Sequence, residues 1–162
     1  LPNTFMLGDL EQDFDRLMEN LSGMNALGSD TVEQMYTNNR EDVLLWAYDT
    51  SDPGNPQTSV VVLKNDEYGG IPLFVISMFA GQFLGSELDS FEQEMLNLGD
   101  RDVIRFKTSA AINDVETAQA IYLFNEAGML WVVGFLAEPG QIEDRLDVFD
   151  DAVASFEVHS VE

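Results

Sequence analysis

Ala118-Gln119-Ala120-Ile121-Tyr122-Leu123-Phe124 and Met129-Leu130-Trp131-Val132-Val133-Gly134-Phe135-Leu136 are apolar runs separated by Asn125-Glu126-Ala127-Gly128. Two such runs around a short turn predict a β-hairpin. Just upstream, Val103 to Ala110 alternates Ile104 and Phe106 on one side with Arg105 and Lys107 on the other, the period of a further strand. Downstream, Pro139 opens a helix in which Ile142, Leu146, Phe149 and Val153 recur at i, i+4, i+7 and i+11. A short strand, Phe156 to Val158, is predicted after it.

Working back toward the N-terminus, Val43 to Tyr48 and Thr58 to Lys64 are β-branched and aromatic runs. They are joined by Asp49-Thr50-Ser51-Asp52-Pro53-Gly54-Asn55-Pro56, a segment of turn formers, which predicts a second hairpin with a long tip. The unbroken Val60-Val61-Val62-Leu63 predicts a central strand covered on both faces. Four helical segments are predicted besides the last one. Asp9 to Leu21 carries Leu10, Phe14, Leu17, Met18 and Leu21 on one face, with Asp9 and Gln12 at capping-box positions. Thr31 to Asn39 places Val32, Met35 and Tyr36 inward. Pro72 starts a stripe of Leu73, Ile76, Ala80, Phe83 and Leu84. Ser86 and Asp89 then cap a helix through Leu88, Phe91, Met95 and Leu98, stopped by Gly99; these last two are one kinked helix or two. The order of elements predicts one α+β domain with helices packed on an antiparallel sheet.

Composition bounds what such a domain does. The chain has 162 residues, 30 Asp and Glu against 7 Lys and Arg, and a net charge of −23. Charge of that sign repels phosphate, so it excludes nucleic acid and anionic membrane surfaces as partners. With 45% hydrophobic residues and 11 Phe, the chain is too apolar for a disordered acidic tail. No Cys is present, which removes thiolate nucleophiles, redox pairs, iron–sulfur sites and zinc ribbons. His159 is the single histidine, so a Ser-His-Asp triad or a His-based metal site would rest on one imidazole near the C-terminus. The longest apolar run, Ile71 to Ala80, is half of what a bilayer span requires. The first residue, Leu1, suggests a processed or trimmed N-terminus. The acidity points to an extracellular or cell-surface setting, since the many Asn, Met and Phe suit a halophile's cytosol poorly. Salt or divalent cations are expected to relieve the self-repulsion.

The order of elements and several local signatures resemble the PsbP-like fold superfamily. Leu1-Pro2-Asn3-Thr4-Phe5 resembles the LP-x-x-W/F that follows the family's first strand, and Val43 to Asp49 resembles its first hairpin arm. Ala118 to Leu136, leading to Phe149 and Ala154-Ser155-Phe156-Glu157-Val158, is similar to the family's final hairpin, helix and SF-x-V strand. The resemblance covers almost the whole chain as a single domain, 1–162. It implies an α/β/α sandwich with a central antiparallel sheet flanked by helices. It also implies a non-catalytic module, because the family's photosystem subunit, nuclear transport factor and bacterial surface lipoprotein-like members are accessory binding proteins. The fold does not choose the partner. The sequence opens at the LP signature, so the strand that precedes it in the family is expected to be missing here, either removed at a boundary or replaced by some other completion of the sheet. An edge left open in this way would accept an extended segment from a neighbour, as strand addition or self-assembly.

No constellation of residues announces a reaction, and the domain is read as a non-enzyme. Asp49, Asp52 and Asn55 place side-chain oxygens in a Gly-containing turn and are candidate Ca²⁺ or Mn²⁺ ligands, although their spacing is not that of an EF-hand and hairpin tips use the same residues. Asp66-Glu67 and Asp100 with Asp102 are similar pairs. Carboxylates suited to glycoside hydrolysis are not singled out, and Trp46 and Trp131 sit in apolar strands where core packing is expected. Gly69-Gly70 and Gly81-x-x-x-Gly85 lack the Lys and Ser or Thr of a phosphate loop, so neither a nucleotide nor another small-molecule substrate is expected. The stretch Ile71 to Phe83 is either a recognition surface or, as helical apolar stripes more often are, a cover for the sheet.

Overall fold

A computed structural model describes residues 1–9, 43–54, 56–84, 90–112 and 115–158. The predicted helices over Asp9 to Leu21 and Thr31 to Asn39, together with Asn55 and His159, fall wholly or mainly outside these residues. The strands are β1 Phe5–Leu7, β2 Val43–Asp49, β3 Ser59–Asn65, β4 Ser90–Leu98, β5 Arg101–Ile112, β6 Val115–Glu126 and β7 Met129–Ala137. They form one antiparallel sheet in the order β1-β2-β3-β7-β6-β5-β4. The helices are α1 Leu73–Leu84 and α2 Pro139–Ala154.

Both predicted hairpins are present. The β6–β7 loop is the two-residue pair Ala127-Gly128 at φ 54° and 77°, the positive-φ geometry that matches the twist of paired strands. Holding Ala127 there costs about 1 kcal/mol, which the nine pairs from Ala118–Ala137 to Glu126–Met129, in unbroken register, offset. Val60 to Val62 lies in β3 between β2 and β7 and is buried, as a strand covered on both faces must be.

Alternation along β6 separates two apolar sets. Ala118, Ala120, Tyr122 and Phe124 join Val60, Val62, Trp131, Val133 and Phe135 under α2, which contributes Ile142, Phe149 and Val153. The Phe149 ring stacks on Phe135 with centroids 4.0 Å apart. Leu123 points the other way and packs with Ile104, Phe106 and Leu130, against which Leu73 and Ile76 of α1 are laid.

Two expectations are corrected. The helix expected through Leu88, Phe91, Met95 and Leu98 is replaced, over its described residues, by a strand: Ser90–Leu98 is β4, paired residue for residue with β5. Period two accounts for it: Glu92 and Glu94 face Lys107 and Arg105 across the ladder, and Phe91 stacks on Phe106. Phe156 to Val158 is not a strand. The Phe156 carbonyl accepts a hydrogen bond from Arg101, and its ring packs edge-on against Phe124, so the segment closes the end of the core rather than extending the sheet. Beside β2, β1 pairs with Ala47 to Asp49, and Gly8 N–H donates to the Trp46 carbonyl.

Candidate functional site

The tip of the β2–β3 hairpin brings two of the three proposed cation ligands together, Asp49 and Asp52, both buried. Asp52 Oδ2 accepts from the Thr58 N–H at 2.8 Å and from the Thr58 hydroxyl. Its Oδ1 accepts from Gly54 N–H at 2.8 Å and from Gln141 Nε2 of α2 at 3.2 Å. Burial pushes this carboxyl up, but the bonds from Thr58, Gly54 and Gln141 outweigh it and hold the group at about 2. Asp49 behaves alike: burial raises it, while Ser51 and Arg145 draw it below the ordinary carboxylate range. Ser51 N–H and Oγ donate to Asp49 Oδ1 at 3.0 and 2.6 Å, and Arg145 Nη1 donates to Oδ2 at 2.7 Å. Both carboxylates thus face donors, the surroundings of a structural anion. Among the described residues no group of three or more metal-ligating side chains converges, at this tip or at the Asp66-Glu67 and Asp100/Asp102 pairs.

A second polar cluster was not singled out from the sequence. Arg105, on the face that α2 covers, is buried, and its Nη1 reaches both Asp150 oxygens at 2.8 and 2.9 Å while Nη2 donates to Glu94. Tyr122 Oη donates to Asp150 Oδ1 at 2.7 Å. Burial opposes the Arg105 charge, yet its bonds to Glu94, Tyr122 and Asp150 raise its basicity further. Burial first and Asp150 second push the Tyr122 phenol well above its usual range. The only sequence signal was the placing of Arg105 opposite Ile104 and Phe106; that side is covered as well, so the arginine needed partners. This cluster and the hairpin tip both fasten α2 to the sheet, and each of their charges is engaged in doing so.

Among the described residues, exposed apolar surface and a groove occur together on α1 and at the neighbouring end of the sheet. The twelve residues of α1 include no charged side chain. Leu73 and Ile76 face the sheet, whereas Phe74, Met78 and Phe79 are 60%, 63% and 58% exposed. The stripe is therefore core on one side and surface on the other. Beside Phe74, a groove of about 830 Å³ opens where the β4–β5 turn, the β6–β7 turn, the start of α1 and the end of α2 meet. Met95, Asp100, Arg101, Asp102, Asn125 and Glu157 are among its walls. Gly99, at φ 65°, shapes the floor: a Cβ there would stand 3.2 Å from the Ala154 carbonyl oxygen. Trp46 and Trp131 are buried and form no aromatic platform.

No family model matches the sequence, and no curated protein matches it. Solved structures do resemble it in fold. Cyanobacterial PsbP (CyanoP) from Synechocystis sp. PCC 6803 is 11% identical with a TM-score of 0.54, over 98% of this chain and 84% of that one. A protein of unknown function from Pseudomonas aeruginosa is 8% identical with a TM-score of 0.52, over 67% and 77%. A protein from Bacteroides thetaiotaomicron VPI-5482 is 10% identical with a TM-score of 0.52, over 74% of this chain and 40% of that one. Likeness at such identity concerns the fold, and the resemblance drawn from the LP start, the hairpins and the final helix agrees with it: the chain has a PsbP-like fold.

Proposed function

We propose that the chain is a non-catalytic accessory module of the extracellular space or cell surface, an α/β/α sandwich that works by holding another protein. The observation that carries this reading is the outer face of α1, where Phe74, Met78 and Phe79 stand exposed on a helix without a single charge. On a chain with net charge −23, a cluster of large apolar side chains in water is the feature that needs a reason, and protein interfaces are enriched in Phe and Met. The charged clusters support the same reading, because Asp49, Asp52, Arg105 and Asp150 are engaged in fastening α2. The strand-addition route fits β4 better than the β2 edge. Among the described residues, β4 is paired on one side only, along nine residues. The acidity suits a setting rich in salt and cations, and no described helix is long and apolar enough to cross a membrane.

A photo-crosslinking amino acid placed at Met78 in the cells that produce the protein tests this reading, with Val148 on the exposed side of α2 as control. A discrete protein adduct from position 78 and none from 148 is expected. Identical adduct patterns at both positions, or none at 78, would sink it.

A further inference from the structure

We infer that the groove at the β4–β5 end of the sheet docks a basic segment of a partner protein, seating an apolar side chain against Phe74 and Met95 and a Lys or Arg against the carboxylates beyond them. This rests on the accessory reading above and adds the chemistry of the partner.

The groove is rich in acceptors and poor in donors. Asp100, Asp102, Glu126 and Glu157 line it, and Arg101 is the one cation among its described walls. That guanidinium is already taken: Nη2 donates to the Phe156 carbonyl at 2.6 Å and lies 3.1 Å from Glu126 Oε2, and its carbon sits 4.8 Å over the Phe124 ring. Asn125 Nδ2 donates to the Ile71 carbonyl at 2.8 Å, while its buried Oδ1 accepts no hydrogen bond. Helix α2 ends here at Ala154 and Ser155, where Arg101 Nη1 donates to the Val153 carbonyl at 3.4 Å, so the same guanidinium also answers the helix end and leaves the negative field of the groove to its carboxylates. At the opposite wall, the N-terminus of α1 opens at Leu73 without an acidic residue in its first turn, a field that a cation would avoid. Phe74 and Met95 stand there, 60% and 55% exposed, which places the apolar part of the ligand on that side and the basic part on the other.

Charge decides against other occupants. A phosphate backbone, an anionic bilayer or a second copy of the same −23 chain would bring negative charge to a negative groove. A basic segment gains from the same field, and its apolar neighbour gains area that the bare groove leaves wet.

The test uses the full chain and a labelled, acetylated and amidated hexapeptide alternating lysine with leucine, followed by fluorescence anisotropy at about 0.15 M salt. Asp100→Asn combined with Asp102→Asn is expected to weaken binding about fivefold, while Asp144→Asn with Asp147→Asn, the same charge change on α2, moves it less than about twofold. Phe74→Ser is expected to weaken the lysine–leucine peptide but leave an all-lysine hexapeptide unchanged. Equal losses from the two carboxylate pairs would mean diffuse attraction to an acidic surface, and absence of measurable binding by wild type would mean no such site; either overturns the inference. A specific crosslink from position 78 together with either of those results leaves the accessory reading standing and removes only the groove.

Discussion

Arg145 Nη1 donates to Asp49 Oδ2 across 2.7 Å, joining the middle of α2 to the end of β2, 96 residues away in sequence. The aspartate side chain is 4% exposed and the arginine 30%, so the pair sits at the margin of the core. Removing the arginine takes the one cation from a buried carboxylate that keeps its hydrogen bonds with Ser51 and Thr4. Arg145→Ala is expected to cost about 2 kcal/mol in urea denaturation, and Asp49→Asn less, because the amide keeps part of the hydrogen bonding. Equal stability of Arg145→Ala and wild type would show that the pair is a surface contact of no consequence.

Asp52 makes the hairpin tip sensitive to acid. Its folded value of about 2 lies below the ordinary 3.8, so the folded state binds its proton less readily than the unfolded one. The stability it contributes is complete above 3.8 and is lost as the pH falls through about 2. Protonation of the many surface carboxylates relieves self-repulsion over the same range, so the informative quantity is a difference. Wild type minus Asp52→Asn, followed by denaturation from pH 5 downward, is expected to shrink toward acid; a difference independent of pH would refute the assignment.

Arg105 carries the second fastening of α2. Arg105→Ala leaves Glu94 and Asp150 on the same face of the fold without their shared cation, and Tyr122 donating to an unshielded carboxylate. A loss of about 3 kcal/mol is expected, with hydrogen exchange in α2 rising before that in β6 and β7. Uniform exchange across all three elements would show that α2 does not depend on this cluster.

The legible parts of the fold were those whose signal is local. The Ala118 to Leu136 hairpin and the α2 stripe of Ile142, Phe149 and Val153 carry their own periodicity, and they stand where that periodicity put them. β4 was illegible for a specific reason: Leu88, Phe91, Met95 and Leu98 satisfy a helical spacing, while the fact that decides for a strand, the match of Glu92 and Glu94 to Lys107 and Arg105, lies on another segment. The hairpin tip was legible as a cluster of oxygens. What those oxygens face, Gln141 and Arg145, arrives from a helix that no spacing within the turn could reveal. The groove has no sequence signature at all, because its walls come from both helices and two turns; Gly99 was read only as a stop signal.

Salt addresses the acidity as a property of the surface. Raising NaCl should raise the melting temperature smoothly as repulsion among the carboxylates is screened. After chelator treatment, calcium should stabilise no more than its ionic strength explains, since Asp49 and Asp52 already face donors. Stoichiometric calcium uptake below micromolar concentration in calorimetry would instead favour a cation-dependent accessory protein.

The central claim is that the outer face of α1 exists for a partner and not for the core. It is tested most directly by carrying Phe74→Ser and Phe79→Ser together through the position-78 crosslinking in producing cells, with the urea midpoint of the same variant as reference. Unchanged stability, within about 0.5 kcal/mol, with loss of the adduct is the predicted result. Retention of the adduct in a variant of unchanged stability, or a collapse in stability of several kcal/mol, would contradict it.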